Sequence, residues 1–222
     1  MAVKDFLSTL LTDGLTKGYF RLTEIGQLSD SCCHHSTTQV IDFDEVKNKI
    51  IASSNLNTIK SCDGLKVLPE LKRIDFIEFK GFKSFTHHQL SQYKRVEKLN
   101  EKLEKQVSKY DLRGKIEDSL TIWENLIRSK DFVWNNATRQ AARGVKKHYI
   151  ILTDIDPNEN AVEFIALNLL FLGQFSTPIE KQFESKLQKE IDNMPTDLAY
   201  NLHRPILKHC NNIDAYYNLL TD

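Results

Sequence analysis

Cys62–Lys80 reads CDGLKVLPELKRIDFIEFK, and the rest of the chain is best interpreted outward from it. The run Ile74 to Phe79 is rich in Ile and Phe, as a buried strand should be. Side chains alternate along a strand, so Ile74, Phe76, Glu78 and Lys80 share one face, and Asp75, Ile77 and Phe79 share the other. A carboxylate and an ammonium thus sit side by side at the end of an otherwise apolar strand. Buried charges are costly unless they are paired or bind a metal. With a hairpin turning near Pro69, Asp63 on the partner strand brings its carboxylate to that of Glu78. Two carboxylates and a lysine at one point would hold a hard divalent cation and stabilise a phosphate under attack.

An Asp followed by Glu-x-Lys on a hairpin that leads into a helix resembles the PD-(D/E)xK nuclease superfamily. Asp63, Glu78, Phe79 and Lys80 carry the resemblance. Cys62 stands where that family usually has Pro. The Glu-x-Lys spacing recurs at Glu45-Val46-Lys47, Glu70-Leu71-Lys72 and Glu184-Ser185-Lys186, but only the copy at Glu78 closes an apolar strand with an Asp upstream. The bland alternative is a strand-end ion pair. The resemblance implies catalysis by Asp63, Glu78 and Lys80, with Asp63 and Glu78 holding Mg²⁺ or Mn²⁺. It also implies a restriction-endonuclease-like core and nucleic acid, DNA ahead of RNA, as substrate. Gln89 and Tyr93 match a Gln-x-x-x-Tyr element that follows Glu-x-Lys in one branch of the family. The same spacing recurs at Gln106 and Tyr110, farther from the motif. The resemblance also implies a further metal contact from the helix before the hairpin, with Glu45 as the candidate, although Asp42 and Glu45 read first as a helix cap and its capping-box partner.

The chain has 222 residues, 41 % hydrophobic and 27 % charged, with a formal net charge of zero. That fits one soluble domain over 1–222, with a core motif at 58–93 and helical elaborations at 94–147 and 161–222. Neutrality means that any nucleic-acid surface is a local patch. Two candidates exist: the ridge Lys94, Lys98, Lys102, Lys105 and Lys109 on a long helix, and the segment Trp134–Lys147 with Arg139, Arg143, Lys146 and Lys147 and no acid. The ridge, with Glu97, Glu101 and Glu104 beside it, reads first as a solvated, salt-bridged face, and the segment reads equally as a solvated loop.

Cys32, Cys33, Cys62 and Cys210 read as reduced, small buried hydrophobes in a cytoplasmic protein. The first residues carry Lys4, Asp5 and Asp13 and do not read as a signal peptide; no run is long enough to span a bilayer. Cys32, Cys33, His34 and His35 invite a zinc reading. No second ligand pair with the usual gap follows, so 29–38 reads as a polar loop. Asp154, Asp156 and Asn158 start a calcium-loop pattern that fails at Glu159 and Ile165.

Helices are expected over Val3–Leu15, Asp42–Ala52, from Thr86 to a break at Asp111–Gly114, then Lys115–Arg128, Ala161–Leu172 and Pro178–Asn193, with a helical tail broken at Pro205. Strands are expected over Tyr19–Ile25, Thr58–Leu68, Arg73–Phe79 and Tyr149–Thr153. The fold class is therefore α/β, a small mixed sheet flanked by helices with a helix-rich C-terminal half. The function is metal-dependent phosphodiester hydrolysis. Its rivals are a non-catalytic nucleic-acid-binding module and a protein-interaction subunit, the latter docking through its C-terminal half as a homodimer or with another protein.

Overall fold

A computed structural model of the chain describes residues 1–53, 59–82, 96–132, 134–155, 179–194, 196 and 200–221. One six-stranded sheet organises it, with the strands side by side in chain order: β1 (Leu22–Glu24), β2 (Gln39–Asp42), β3 (Gly64–Leu68), β4 (Arg73–Phe79), β5 (Lys146–Thr153) and β6 (Ile206–His209). β1 to β4 run antiparallel to their neighbours, while β4, β5 and β6 are parallel. The sheet is thus mixed and flanked by helices, as the sequence indicates.

β4 is buried along its whole length because it alternates between two cores. Ile74 and Phe76 join the larger cluster, with Phe6 of α1 (Val3–Thr16), Val46 of α2 (Phe43–Ser53) and Trp123 of α4 (Leu112–Arg128). Ile77 and Phe79 join the other, with Ile213 and Tyr217 of α7 (Ile213–Thr221). The turn before β4 forms where expected. Lys72 N donates to Pro69 O at 3.0 Å, and Lys72 takes a left-handed φ of 54°, the combination that closes a longer hairpin loop.

Three helices are described between β4 and β5: α3 (Val96–Lys109), α4 and α5 (Asn136–Arg143). Ile116, Leu120, Trp123 and Ile127 of α4 are buried together, as their spacing requires. The break before α4 is narrower than expected. Asp111 alone turns left-handed and caps the helix, its Oδ1 accepting from Gly114 N at 3.3 Å. A Cβ at Gly114 would lie 2.6 Å from Asp111 Oδ2, so glycine is needed for this cap. α6 spans Ile179–Asp192, close to its expected bounds.

Several expectations need correction. The strand expected over Thr58–Leu68 begins only at Gly64, and that over Tyr19–Ile25 shrinks to Leu22–Glu24. β5 starts at Lys146 rather than Tyr149. β2 and β6 are unforeseen; each has four residues, too few for a periodic signal. β6 converts part of the expected helical tail into a strand, which Pro205 permits by standing just before it. The helix expected over Ala161–Leu172 lies outside the described residues.

Among the described residues, no helix is long and apolar enough to cross a membrane. The cysteines are not simply four separate hydrophobes: Cys33 and Cys210 are joined in a disulfide across 177 residues, while Cys32 and Cys62 are free.

Candidate functional site

Asp63 immediately precedes β3. Its N–H donates to Ile77 O at 2.9 Å, and its own carbonyl accepts from Phe43 N at 3.2 Å. Gly64 pairs with Ile77, so continuing the antiparallel ladder by one residue sets Asp63 opposite Glu78. The Asp63 carboxylate accepts from Phe79 N at 2.7 Å. Glu78 has no exposed surface, and Asp63 and Lys80 keep 8 % each. Lys80 Nζ pairs with Glu78 Oε1, and Lys80 N donates to Leu152 O at 2.8 Å, tying the strand end to β5. The three residues singled out in the sequence therefore come together.

A fourth charge joins them. Lys115, in the first turn of α4, lies 2.5 Å from Glu78 Oε1 and 3.8 Å from Asp63 Oδ1. One turn farther along α4, Ser119 Oγ accepts from Cys62 N at 2.8 Å, which fixes the helix against the strand that carries Asp63. Two acids thus face two lysines in a largely dry place. Glu78 Oε2 is buried with no hydrogen-bond partner among the described residues. Such an orphaned oxygen costs roughly 1–3 kcal/mol, more when charged.

Burial, followed by the nearby charge of Glu78, pushes the Asp63 carboxyl up to about 7, against the pull of Lys115, the Phe79 N–H and Lys80. Burial works against the charge on Lys115, but Glu78 and Asp63 outweigh it and raise its pKa. Tyr149, buried in the middle of β5, is held protonated by burial first and then by Cys62, Glu78 and Asp63.

The other expected site residues divide sharply. Glu45 Oε1 pairs with Arg21 at 3.0 Å, in a surface group that includes Asp42. Asp42 Oδ1 accepts from Glu45 N at 3.2 Å, as a cap does. Gln89, Tyr93 and Lys94 lie outside the described residues, and Lys98 lies on α3. The second Gln-x-x-x-Tyr copy does reach the site: Lys80 Nζ lies 4.8 Å from the centroid of the Tyr110 ring, and Gln106 hydrogen-bonds the Tyr110 hydroxyl. Burial raises the Tyr110 hydroxyl to about 12.

Arg139, Arg143 and Lys146 are exposed, but Lys147 is not. Its Nζ donates to Tyr200 O at 2.7 Å and Val145 O at 3.3 Å, and burial lowers its pKa to about 8. That removes Lys147 from any phosphate-binding surface. Lys146 and Lys147 also pair with Arg73 and Ile74, at the end of β4 away from Glu78. The separation along the strand is on the order of 15 Å.

The sequence reading missed Lys115, Tyr149 and Tyr110 as members of the site. The local signals were Lys115 and Ser119, polar at i and i+4 beside the apolar stripe of α4, a lone phenol in the apolar run of β5, and for Tyr110 the second Gln-x-x-x-Tyr spacing. No protein-family model, no curated protein and no solved structure matches this chain.

Proposed function

We propose that the chain is a metal-dependent nuclease of the PD-(D/E)xK kind, hydrolysing phosphodiester bonds of nucleic acid, with DNA ahead of RNA. The carrying observation is the meeting of Asp63, Glu78 and Lys80 where β3 and β4 pair, with Glu78 Oε2 left without a partner. The donor set suits a hard cation, being carboxylate oxygens with no soft ligand among them. Asp63 and Glu78 would hold Mg²⁺ or Mn²⁺, which when bound supplies a more acidic water and charge neutralisation at the phosphate.

Lys80 stabilises negative charge developing on the phosphate, an electrostatic contribution that is usually large. Tyr110 packs against Lys80 and limits where its ammonium can go. Asp63 must lose its proton to bind a cation, so binding strengthens as pH rises through about 7. A cytoplasmic setting belongs to the same proposal. The free thiols of Cys32 and Cys62 support it, and the Cys33–Cys210 disulfide speaks against it.

The test incubates the pure protein with single- and double-stranded DNA and RNA plus Mg²⁺ or Mn²⁺, beside Asp63→Ala and Lys80→Ala. Cleavage by the wild type that both variants lack supports the reading. Equal cleavage by all three identifies a contaminant and ends it.

A second reading has its own observation. Lys115 Nζ lies on Glu78 and near Asp63, where a cation would act, and so completes a neutral structural network. On that reading the domain binds nucleic acid without cutting it. Calorimetric titration with Mg²⁺ separates the two: heat that disappears in Asp63→Ala favours the nuclease, and no heat favours the binding module.

A further inference from the structure

The loop 28–38 between β1 and β2 is held firmly against the C-terminal end of the chain. Asp214 accepts from Ser36 Oγ at 2.5 Å, Thr38 Oγ1 at 2.6 Å, Thr37 N at 3.2 Å and Thr38 N at 3.3 Å. Gly26 lets the loop fold back over its own start, since a Cβ there would lie 2.7 Å from the His34 carbonyl oxygen. The loop thereby delivers two adjacent cysteines to Cys210, which follows β6 directly.

The result is three sulfurs at one point. Cys33 and Cys210 are bonded, and Cys32 Sγ lies 3.4 Å from Cys210 Sγ. All three Sγ atoms lie within 4.8 Å of one another. A disulfide needs only two of them. Cys32 Sγ is directed at the same point and also approaches Leu152 O, at 3.6 Å, and the backbone of Lys80. Tetrahedral thiolate ligands around zinc, each about 2.3 Å from the metal, lie about 3.8 Å apart. The trio also borders a cavity of about 700 Å³ that His34, His35 and Asp154 help to line, which leaves room for a fourth ligand.

We infer that, with the disulfide reduced, Cys32, Cys33 and Cys210 form a binding site for a borderline-soft divalent cation of the zinc type. Three thiolates select such a cation over Mg²⁺ or Ca²⁺. The site shares no ligand with the carboxylates at Asp63 and Glu78, and it would stand if the chain cut no nucleic acid. Adjacency in the sequence does not forbid it, because the irregular loop backbone turns both neighbouring sulfurs toward Cys210. With a phosphine reductant, the disulfide takes up two electrons and two protons to give two thiols. The phosphine becomes its oxide, with water supplying the oxygen and the protons. Zinc then displaces the thiol protons on binding.

The experiment uses the full chain, reduced with a phosphine without oxygen, then titrated with Zn²⁺ and, as a spectroscopic probe, Co²⁺. The expected result is one Zn²⁺ per chain and a thiolate-to-cobalt charge-transfer band. In Cys32→Ala, which leaves the Cys33–Cys210 pair untouched and so keeps the fold, Zn²⁺ affinity should fall by at least about tenfold. Cys62→Ala, which removes the remote thiol, should bind as the wild type does. No Zn²⁺ bound by the reduced wild type, or a loss in Cys32→Ala smaller than that, overturns the inference.

Discussion

β4 carries two pairs of opposite charge, one at each end, and they behave differently. At its start, Arg73 and Asp75 share the face toward α7. Arg73 Nε and Nη2 donate to the two Asp75 oxygens at 2.5 and 2.7 Å, and Nη2 also donates to Tyr216 Oη at 2.6 Å. Lys66 adds a further positive charge nearby. Both Asp75 oxygens are occupied in a fork, the arrangement of strong ion pairs. At the far end, Glu78 and Lys80 share the opposite face. There one Glu78 oxygen draws both Lys80 and Lys115, the other has no partner among the described residues, and Asp63 is held partly protonated near neutrality. Both pairs are acid and base two residues apart on one buried strand. Pairing by itself therefore marks neither as functional; what differs is satisfaction. The first pair is closed, whereas the second keeps an oxygen and an acid available to something more.

The largest expected effect breaks the closed pair. Asp75→Ala leaves Arg73 buried and unpaired and should cost about 3–5 kcal/mol of stability, read by denaturant unfolding. A loss below about 1 kcal/mol would remove the contrast, because the pair would then not be structural. At the open end, Lys80→Ala should slow cleavage by about a hundredfold or more if the nuclease reading holds. Its unfolding midpoint should move far less than that of Asp75→Ala, since Lys115 still neutralises Glu78.

Asp63→Asn sharpens the comparison through pH. The Asp63 carboxyl sits at about 7 in the folded chain, above its ordinary value, so the folded state holds its proton more tightly than the unfolded state. Its contribution to stability is full below the ordinary carboxylate range and is lost as pH rises through about 7. Without added metal, Asp63→Asn should therefore be more stable than the wild type at pH 8, by roughly 1–3 kcal/mol, and near parity at pH 4. A constant difference across that range would mean that Asp63 does not titrate there. The smallest effect is expected at a surface pair. Arg113 and Glu117 lie 2.8 Å apart with side chains 66 % and 58 % exposed. Arg113→Ala should leave the unfolding midpoint indistinguishable from that of the wild type, and a clear loss would show that exposure is a poor guide to pair strength here.

Much of this was legible in the residues. Ile74–Phe79 had to be a strand because nothing else in the composition of that run favours another state, and Pro69 marked the turn before it. The period-two alternation then placed Glu78 and Lys80 on one face, and a short hairpin could only bring Asp63 near them. Burial of Lys147 was not legible. Its neighbour Lys146 is exposed, and only the bridge to Leu202 and the carbonyl of Tyr200 show which of the two turns inward. β2 and β6 escaped notice because four residues carry too little pattern.

From its own order of residues the chain determined the β3–β4 hairpin and the approach of Asp63 to Glu78 and Lys80, because strand periodicity and turn chemistry act over a few neighbours. The tertiary structure alone decided that Lys115 reaches the same carboxylates from α4, that Tyr110 lies against Lys80, and that Cys210 meets Cys32 and Cys33. Those contacts join residues 30 to 180 positions apart, on the order of the chain itself, and depend on how helices and loops settle on the sheet, which no local pattern encodes.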